Sequence, residues 1–264
     1  MPSLFPTDPP DDELRDVHDR LFLGTAGWSY DDWDGPFYPP GTSSLDRLRH
    51  YARHFRTVEI DSTFYGTPTL STVQGWYERT PDDFVFAAKF PREITHGARL
   101  VDAAASAQYF VETMSELGDK LGPLLIQLPP SFTIGSFRHL AAFLEGLPDG
   151  FTYAVEVRHP SWLEDRFADL LRRWNVALCL TCSGHLANFW RVTSRVAYIR
   201  WLGRQNQFST FDRVQADRTE ELDWWVPRIR HFLDHDGVVF GYANNNYAGF
   251  APETADDVAR RLAT

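Results

Sequence analysis

Short apolar runs alternate with amphipathic segments along most of the chain. Eight runs rich in aliphatic and aromatic residues predict strands buried on both faces, at 21–27, 57–61, 84–89, 123–128, 152–158, 176–180, 196–201 and 237–244. Segments with helical spacing of apolar positions follow, at 45–55, 70–80, 103–117, 137–147, 163–174, 219–233 and 254–263. Only the interval after the sixth strand lacks a clear helical pattern.

This alternation predicts an α/β fold, a single (β/α)8 TIM-type barrel, with a doubly wound open sheet as the alternative. Connections from helix to strand are short, whereas four connections from strand to helix are long, at 28–44, 90–102, 181–195 and 202–218. In a barrel all the latter lie at the C-terminal face, where such enzymes build their sites. We therefore predict a barrel domain over 21–264 and a disordered or loosely attached N-terminal arm over 1–20.

Composition restricts the partners of this chain. With 264 residues and 43% hydrophobic content, it can form a substantial core in one large domain or two small ones. The net charge of -10 disfavours a nucleic-acid partner unless a local basic pocket opposes it. The first 16 residues contain no apolar run, so we expect neither a signal peptide nor a membrane anchor, and a cytoplasmic location. The sequence predicts no oligomeric state.

Two cysteines form a C-x-x-C pattern. Cys179 and Cys182 lie on a strand-like segment, and His185 follows three residues later. A redox pair prefers the start of a helix, and strand alternation points these two positions to opposite faces. We therefore expect free buried thiols, with a redox or zinc site as the alternative.

Polar side chains stand at the ends of strands that should be apolar. Glu59 and Asp61 are two residues apart on the second strand, and Glu156 and Arg158 on the fifth, so each pair faces one side. An unpaired buried ion costs roughly several kcal/mol, so these side chains need partners or a function. Further residues of this kind are Lys89, Gln127, Arg200, Asn244 and Asn245. We predict a charged cluster in the barrel mouth, with an inert ion network as the alternative.

Lysine and histidine positions suggest acid–base chemistry. Lys89 is one of only two lysines, against 24 arginines. A lysine can act as a tunable proton donor, form a Schiff base or contact a phosphate. His96, His159 and His185 follow strands, where histidine and glutamate form the usual acid–base pairing. Glu59, Glu156, His96 and His159 make a divalent metal possible, but no spaced metal motif occurs, and we predict no metal site or cofactor.

An aromatic stretch, GTAGWSYDDWDGPFYP, spans 24–39. Trp28 and Tyr30, next to the first strand, are expected to contact a ligand, and Trp33 either contacts it or anchors the loop. Phe37 and Tyr38 are expected to anchor the loop as a hydrophobic lid. Tyr65 and Trp162 complete a set of stacking walls that suit sugar faces and nucleobases.

Several blocks together resemble one family. GTAGWSYDDWDGPFYP, VEIDSTFYGTP, KFPREITH, LGPLLIQLPPSF, AVEVRHPSW, YIRWLG and YANNNYAGFAP resemble, in this order from about 21 to 262, the YecE-like family, known as domain of unknown function 72. The resemblance implies a TIM-type barrel and a pocket but no reaction. Residues that match family positions are Trp28, Tyr30, Trp33, Glu59, Tyr65, Lys89, His96, Gln127, Glu156, Arg158, His159, Trp162, Arg200, Asn244 and Asn245.

This chain also departs from the family pattern. Asp61 stands where the family often has Asn, Gly66 where it often has Arg, Leu202 where it often has His, and Ala243 where it often has Phe. The missing Arg and His put in doubt any role that needs a second cation or a base at the rim.

We expect an enzyme of the hydrolase or isomerase class that acts on a small polar or sugar-like substrate. Glu59 or Glu156 would be general acid or base, and Lys89, Arg158 and Arg200 would stabilise negative charge. Paired carboxylates also fit glycoside cleavage. The alternatives are a metal-dependent phosphodiesterase acting on nucleic acid and a binding protein without catalysis. No G-x-S-x-G, P-loop or G-x-G-x-x-G motif occurs, which argues against a serine hydrolase, a nucleoside triphosphatase and a Rossmann enzyme.

Overall fold

Eight parallel strands form one sheet that closes almost completely into a barrel. The computed structural model describes residues 15, 17–183 and 188–264. The strands are β1 (Leu21–Thr25), β2 (Thr57–Ile60), β3 (Val85–Lys89), β4 (Leu121–Gln127), β5 (Tyr153–Glu156), β6 (Ala177–Cys182), β7 (Val196–Trp201) and β8 (Val238–Ala243). Their order is β1-β8-β7-β6-β5-β4-β3-β2, and a bridge between Ala26 and Glu59 joins β1 to β2. This confirms the predicted (β/α)8 barrel.

Among the described residues, helices follow seven of the eight strands. They span Ser44–His54, Leu70–Glu78, Ala104–Ser115, Phe137–Glu145, Asp165–Arg173 and Thr219–Asp234, with Asn245–Ala248 and Ala251–Ala263 after β8. No α-helix occurs between β6 and β7 in the residues described there, and His185 lies outside them. Most of the predicted N-terminal arm, 1–14 and 16, also lies outside the described residues. None of the described helices is both long and apolar enough to span a lipid bilayer.

The helix Asp165–Arg173 shows why such segments cover the barrel. Phe167, Ala168 and Leu171 lie on one side of the helix and are buried, whereas charged residues occupy the other side. This apolar stripe recurs at helical spacing and can pack only against the outer surface of the sheet or a neighbouring helix. The helices therefore form the outer layer, and the ends of the strands are left to the loops.

The interior of the barrel is filled by side chains at alternate strand positions. Tyr198, Phe240 and Tyr242 belong to this inner cluster, together with small residues such as Ala87 and Ala154. Phe22 and Phe240 stack with their ring centroids 4.7 Å apart. The barrel is a packed core below its C-terminal end, as is usual for this architecture.

The two cysteines face opposite sides of β6, as strand alternation predicts. Cys179 belongs to the inner cluster, whereas Cys182 packs on the outer side, where its thiol donates a hydrogen bond to Glu221. Both thiols are free. This confirms the expectation of unpaired cysteines.

Candidate functional site

A cavity of about 700 Å³ opens at the C-terminal end of the barrel. The ends of β3, β4 and β7 contribute Lys89, Gln127 and Arg200, and the loops after β2, β3 and β7 contribute much of the rim. Of the residues predicted from the sequence, the cavity wall contains Asp61, Tyr65, Lys89, His96, Gln127, Arg158, Arg200 and Asn244. Strand alternation explains this set, because inward-facing positions at the strand ends meet at one mouth.

Four charged side chains form what we call the buried network: Glu59 and Glu156, which lie beneath this cavity, and Arg158 and Arg200, which reach its wall. The Arg200 guanidinium donates from Nη2 to Glu59 Oε1 at 2.6 Å and from Nη1 to Glu156 Oε2 at 2.5 Å. Arg158 Nε donates to Glu156 Oε1 at 2.7 Å, and the Tyr198 hydroxyl donates to Glu59 Oε2 at 2.6 Å. Every carboxylate oxygen of the network therefore has a partner.

Glu59 and Glu156 are closed off from the cavity. Both residues are 0% exposed, and neither belongs to the cavity wall. Burial alone would raise the pKa of Glu156, but the charges of Arg158, Arg200 and Lys89 outweigh it and lower that pKa to about 2. The structure thus places the two predicted acid–base carboxylates as buried counter-ions of Arg200, below the surface that a substrate could touch.

Lys89 is buried in the cavity wall without a carboxylate partner. Its residue is 8% exposed, and Nζ lies 3.7 Å from the centroid of the Phe64 ring. No carboxylate of the described residues lies within 4.0 Å of this amine. Burial and the nearby charge of Arg200 lower the pKa of Lys89 to about 8, although Glu156 and Glu59 oppose the shift. A fraction of this amine is therefore neutral near physiological pH.

Thr63 holds the end of β3 against the next segment. Its hydroxyl donates to the carbonyl of Lys89 at 2.7 Å, and the Lys89 amide donates to the same hydroxyl at 3.2 Å. Thr63 lies in the 3-10 helix Ser62–Tyr65, which also carries Phe64. This contact fixes the aromatic ring beside the amine.

Asp61 is the acidic member of the cavity wall. It is half-buried and has no ion-pair partner in the described part of the chain. Burial and repulsion from Glu59 raise its pKa, while Lys89 and Arg200 oppose the shift. The pKa values of Asp61 and Lys89 are thus moved toward each other, which is the arrangement expected of a proton donor and acceptor.

His96 borders the same cavity as a neutral ring. Burial, together with the charges of Lys89 and Arg158, lowers its pKa to about 4. Nδ1 lies 2.9 Å from Thr95 Oγ1, and Nε2 lies 3.5 Å from Gln127 Nε2. A neutral imidazole in this position can exchange hydrogen bonds with a ligand but carries no charge near neutral pH.

The rim adds cations that sequence reasoning missed. Arg92, after β3, and Arg204, after β7, are exposed and have no ion-pair partner among the described residues. Asp61 is the sole acidic residue in the described wall of the cavity. Phe64 and Ser183 were also missed. The available signal was position, because all four lie within a few residues of a predicted strand end.

The aromatic residues of the first loop are not walls of this cavity. Trp33 is 0% exposed and donates from Nε1 to Asn245 Oδ1 at 3.2 Å. Trp28 lines a separate surface cavity, where it meets Trp76 edge to face. The Tyr30 hydroxyl donates to the carbonyl of Ala26 at 2.7 Å. Trp28 and Trp33 thus meet helices of the outer layer, and Tyr30 packs against Trp33 with ring centroids 4.8 Å apart.

Three further predicted residues lie away from the cavity wall. Trp162 is 0% exposed, stacks on Phe132 and donates to its carbonyl at 2.7 Å. His159 accepts from the Ser161 amide and caps the 3-10 helix Pro160–Trp162. Asn245 accepts from the amide of Ala251 at 3.0 Å in addition to the Trp33 indole. The hydrogen bonds of Trp162 and Asn245 connect separate segments of the fold, whereas that of His159 is local.

The residues considered for a divalent metal are not grouped around one point in the described structure. Among the described residues, no group of three or more histidine, cysteine, aspartate or glutamate side chains is arranged to hold an ion. Of the four residues considered for a divalent metal, Glu59 and Glu156 are occupied by arginine, and His159 lies outside the cavity wall.

Comparison with known proteins points to one family. A family model described as "Protein of unknown function DUF72" matches residues 22–264. The chain is 38% identical over 142 residues to UPF0759 protein YecE of Escherichia coli strain K12, an alignment that covers 54% of this chain and 50% of that protein. The chain thus spans about half the length of this relative. It is 27% identical over 273 residues to UPF0759 protein YunF of Bacillus subtilis strain 168, covering 92% and 94%.

Solved structures agree with the barrel. A DUF72 family protein of Thermotoga maritima superposes with a TM-score of 0.78 and 26% identity, over 92% of this chain and 99% of that one. A DUF72 family protein of Enterococcus faecalis gives a TM-score of 0.70 at 20% identity, over 93% and 97%, and supports the fold alone.

Proposed function

Since the chain belongs to the DUF72 family of proteins of unknown function, we propose a function from the geometry of the mouth: an enzyme that binds a small polar substrate there and transfers protons through Lys89 and Asp61. The observation that carries this proposal is the state of Lys89. Its amine is buried in the cavity wall without a carboxylate partner, next to a network in which every carboxylate is paired.

A buried amine without an ion-pair partner destabilises the folded chain, so its presence suggests a functional role. Strongly shifted pKa values in a cavity mark candidate catalytic groups, and a general base works best with a pKa near the working pH. Lys89 meets both conditions, with a pKa of about 8. Asp61, whose pKa is raised, supplies the complementary acid or base in the same cavity.

Arginine side chains of the cavity can stabilise negative charge that develops in a transition state. Arg158 uses Nε on Glu156, and its two Nη groups have no hydrogen-bond partner among the described residues. A fixed guanidinium in a partly enclosed site stabilises an anionic transition state without reorganisation. Phe64 and Tyr65 form an aromatic wall, and Gln127 offers an amide for polar groups of the substrate. This set suits hydrolase or isomerase chemistry on a small polar molecule.

Turnover provides the direct test. We would incubate the protein with metabolite mixtures, follow consumption by mass spectrometry and compare the wild type with Lys89→Met. General acid–base catalysis contributes about 10²- to 10⁴-fold, so we expect at least a hundredfold loss of turnover with the ligand-induced thermal shift retained. Arg138→Gln, at an exposed position on the helix Phe137–Glu145, is the control and should turn over normally. Wild-type turnover by Lys89→Met would contradict the role of Lys89, and a bound ligand that is never converted would contradict catalysis.

A second measurement needs no substrate. Because the chain has only two lysines, protein labelled with ¹³C-lysine gives two side-chain signals, which Lys120→Arg assigns. We expect the Lys89 signal to titrate near pH 8. A pKa above 10 for Lys89 would exclude this residue as the general base.

A further inference from the structure

The mouth cavity holds more positive charge than its own acidic groups neutralise. Within the buried network, two glutamates match two arginines through three ion pairs. Lys89, Arg92 and Arg204 remain, and Asp61 is the one acid beside them in the described cavity wall. The surplus of two positive charges stands out because the whole chain carries a net charge of -10. A local field of this sign attracts small anions to the mouth.

We propose that the substrate is a small molecule bearing a phosphate group, which Arg92, Arg158 and Arg204 bind at the rim of the cavity. This inference rests on the function proposed above and names its substrate class. A phosphate monoester carries about -1.5 to -2 charge near pH 7, which equals the surplus, whereas one carboxylate would balance only half of it. Arginine presents several N–H donors in a fork that matches phosphate oxygens.

The loop after β7 is built to hold Arg204 near β8. Gly203 adopts a φ of +66°, and a Cβ there would lie 2.0 Å from the carbonyl oxygen of Asn246. Its amide donates to the carbonyl of Cys182 at 3.0 Å. The backbone after β7 therefore packs directly against the segment after β8, next to Arg204. Loops after the seventh and eighth strands frequently form the phosphate site of TIM barrels.

The same geometry favours a small phosphate compound over a polyanion. The cavity, about 700 Å³, is of the size that takes a single small molecule. A nucleic acid would extend beyond the mouth over a surface whose overall charge repels it. Phe64 and Tyr65, next to the cations, leave an aromatic wall for the rest of the substrate.

The test uses inorganic phosphate as the probe and the whole 264-residue chain. Binding would be measured by titration calorimetry at constant ionic strength, with chloride as the blank, succinate as the carboxylate arm and a short DNA oligonucleotide as the polyanion arm. We expect phosphate to bind more tightly than succinate and the oligonucleotide. Arg92→Gln and Arg204→Gln should each weaken phosphate binding about tenfold, because each removes one charge-assisted contact. Arg138→Gln, exposed and outside the cavity wall, should leave it unchanged.

Several outcomes would overturn the inference. Tighter binding of succinate would assign the cations to a carboxylate, and tighter binding of the oligonucleotide would assign them to nucleic acid. Equal phosphate affinity in Arg92→Gln, Arg204→Gln and Arg138→Gln would exclude the rim arginines as phosphate ligands. An absence of phosphate binding would exclude them as well. The proposed catalysis fails separately. If phosphate binds as expected while Lys89→Met keeps full turnover, the phosphate site stands and the role of Lys89 does not.

Discussion

Glu156 and Lys89 are both buried at the mouth of the barrel, yet their surroundings differ. Each oxygen of Glu156 accepts a hydrogen bond from an arginine, and its pKa falls to about 2. Lys89 has a phenyl ring beside its amine and no carboxylate partner among the described residues, and its pKa falls to about 8. The first arrangement stabilises a charge, whereas the second disfavours one. Partners, rather than burial, therefore separate the structural charges of this mouth from its candidate chemistry.

Removal of Arg200 should give the largest effect. Arg200→Met leaves Glu59 and Glu156 buried with fewer counter-charges, and breaking a buried pair in this way costs about 3–5 kcal/mol of unfolding free energy. The measurement is urea unfolding at pH 7. Lys89→Met is the matched control, because it removes an equally buried cation that has no ion pair, and it should change stability by less than about 1 kcal/mol. Equal losses in the two variants would erase the distinction between paired and unpaired charges.

Acid should act on the buried network. The pKa of Glu156 is lower in the folded chain than its usual value of 4.5, so its stabilisation is complete above that value. It is lost as the pH falls toward 2, because the unfolded chain then binds a proton that the folded chain does not. The shift corresponds to about 3 kcal/mol. Urea unfolding from pH 6 to pH 2 should show a difference between wild type and Glu156→Gln that shrinks in this window. A constant difference would contradict the prediction.

Raising the pH should stabilise the folded chain through Lys89, whereas lowering the pH destabilises it through Glu156. Its folded-state pKa is about 8 against a usual value of 10.5. Between these values the unfolded chain binds more protons, so folded-state stability rises with pH. We expect wild type to gain about 2 kcal/mol relative to Lys89→Met across this window, less than the full shift because the amine borders an open cavity. Chemical unfolding at pH 7.5 and pH 10.5 measures it, and a flat difference would show an unshifted lysine.

The rim arginines should matter least for folding. Arg92 and Arg204 are exposed and have no ion pair in the described structure, so Arg92→Gln and Arg204→Gln should change unfolding free energy by less than about 0.5 kcal/mol. Thermal unfolding without added phosphate measures this. A larger loss would show that the rim cations stabilise the fold, and the phosphate titration of these variants would then need correction for it.

Strand periodicity predicted much of the fold and the charged cluster at the barrel mouth. Inward-facing positions at strand ends identified Glu59, Lys89, Glu156 and Arg200, because a buried strand has little reason to carry charge. Periodicity tells which way a side chain points but not what it meets. Glu59 lies on β2 and Asp61 follows the strand directly, yet Glu59 lies under Arg200 and Asp61 in the cavity wall.

The loops limited prediction in two ways. Tryptophans such as Trp28, Trp33 and Trp162 are typical of the walls of ligand sites. Here they pack against other segments of the protein instead. Arg92 and Arg204 resembled ordinary surface arginines, and only the closed barrel brings them to one rim. Loop conformation depends on contacts between distant segments, which a single sequence does not display.

The aromatic rings that fill the lower barrel also determine how a molecule can enter and leave the cavity. Tyr198 and Tyr242 are fully buried, and Phe22 stacks on Phe240 beneath them, so this end offers no passage. Anything that enters the mouth has to leave by the way it came. Because one opening serves both directions, a second molecule can enter only after the first has left. If the proposed function holds, a product that stays bound at the rim competes directly with the next substrate.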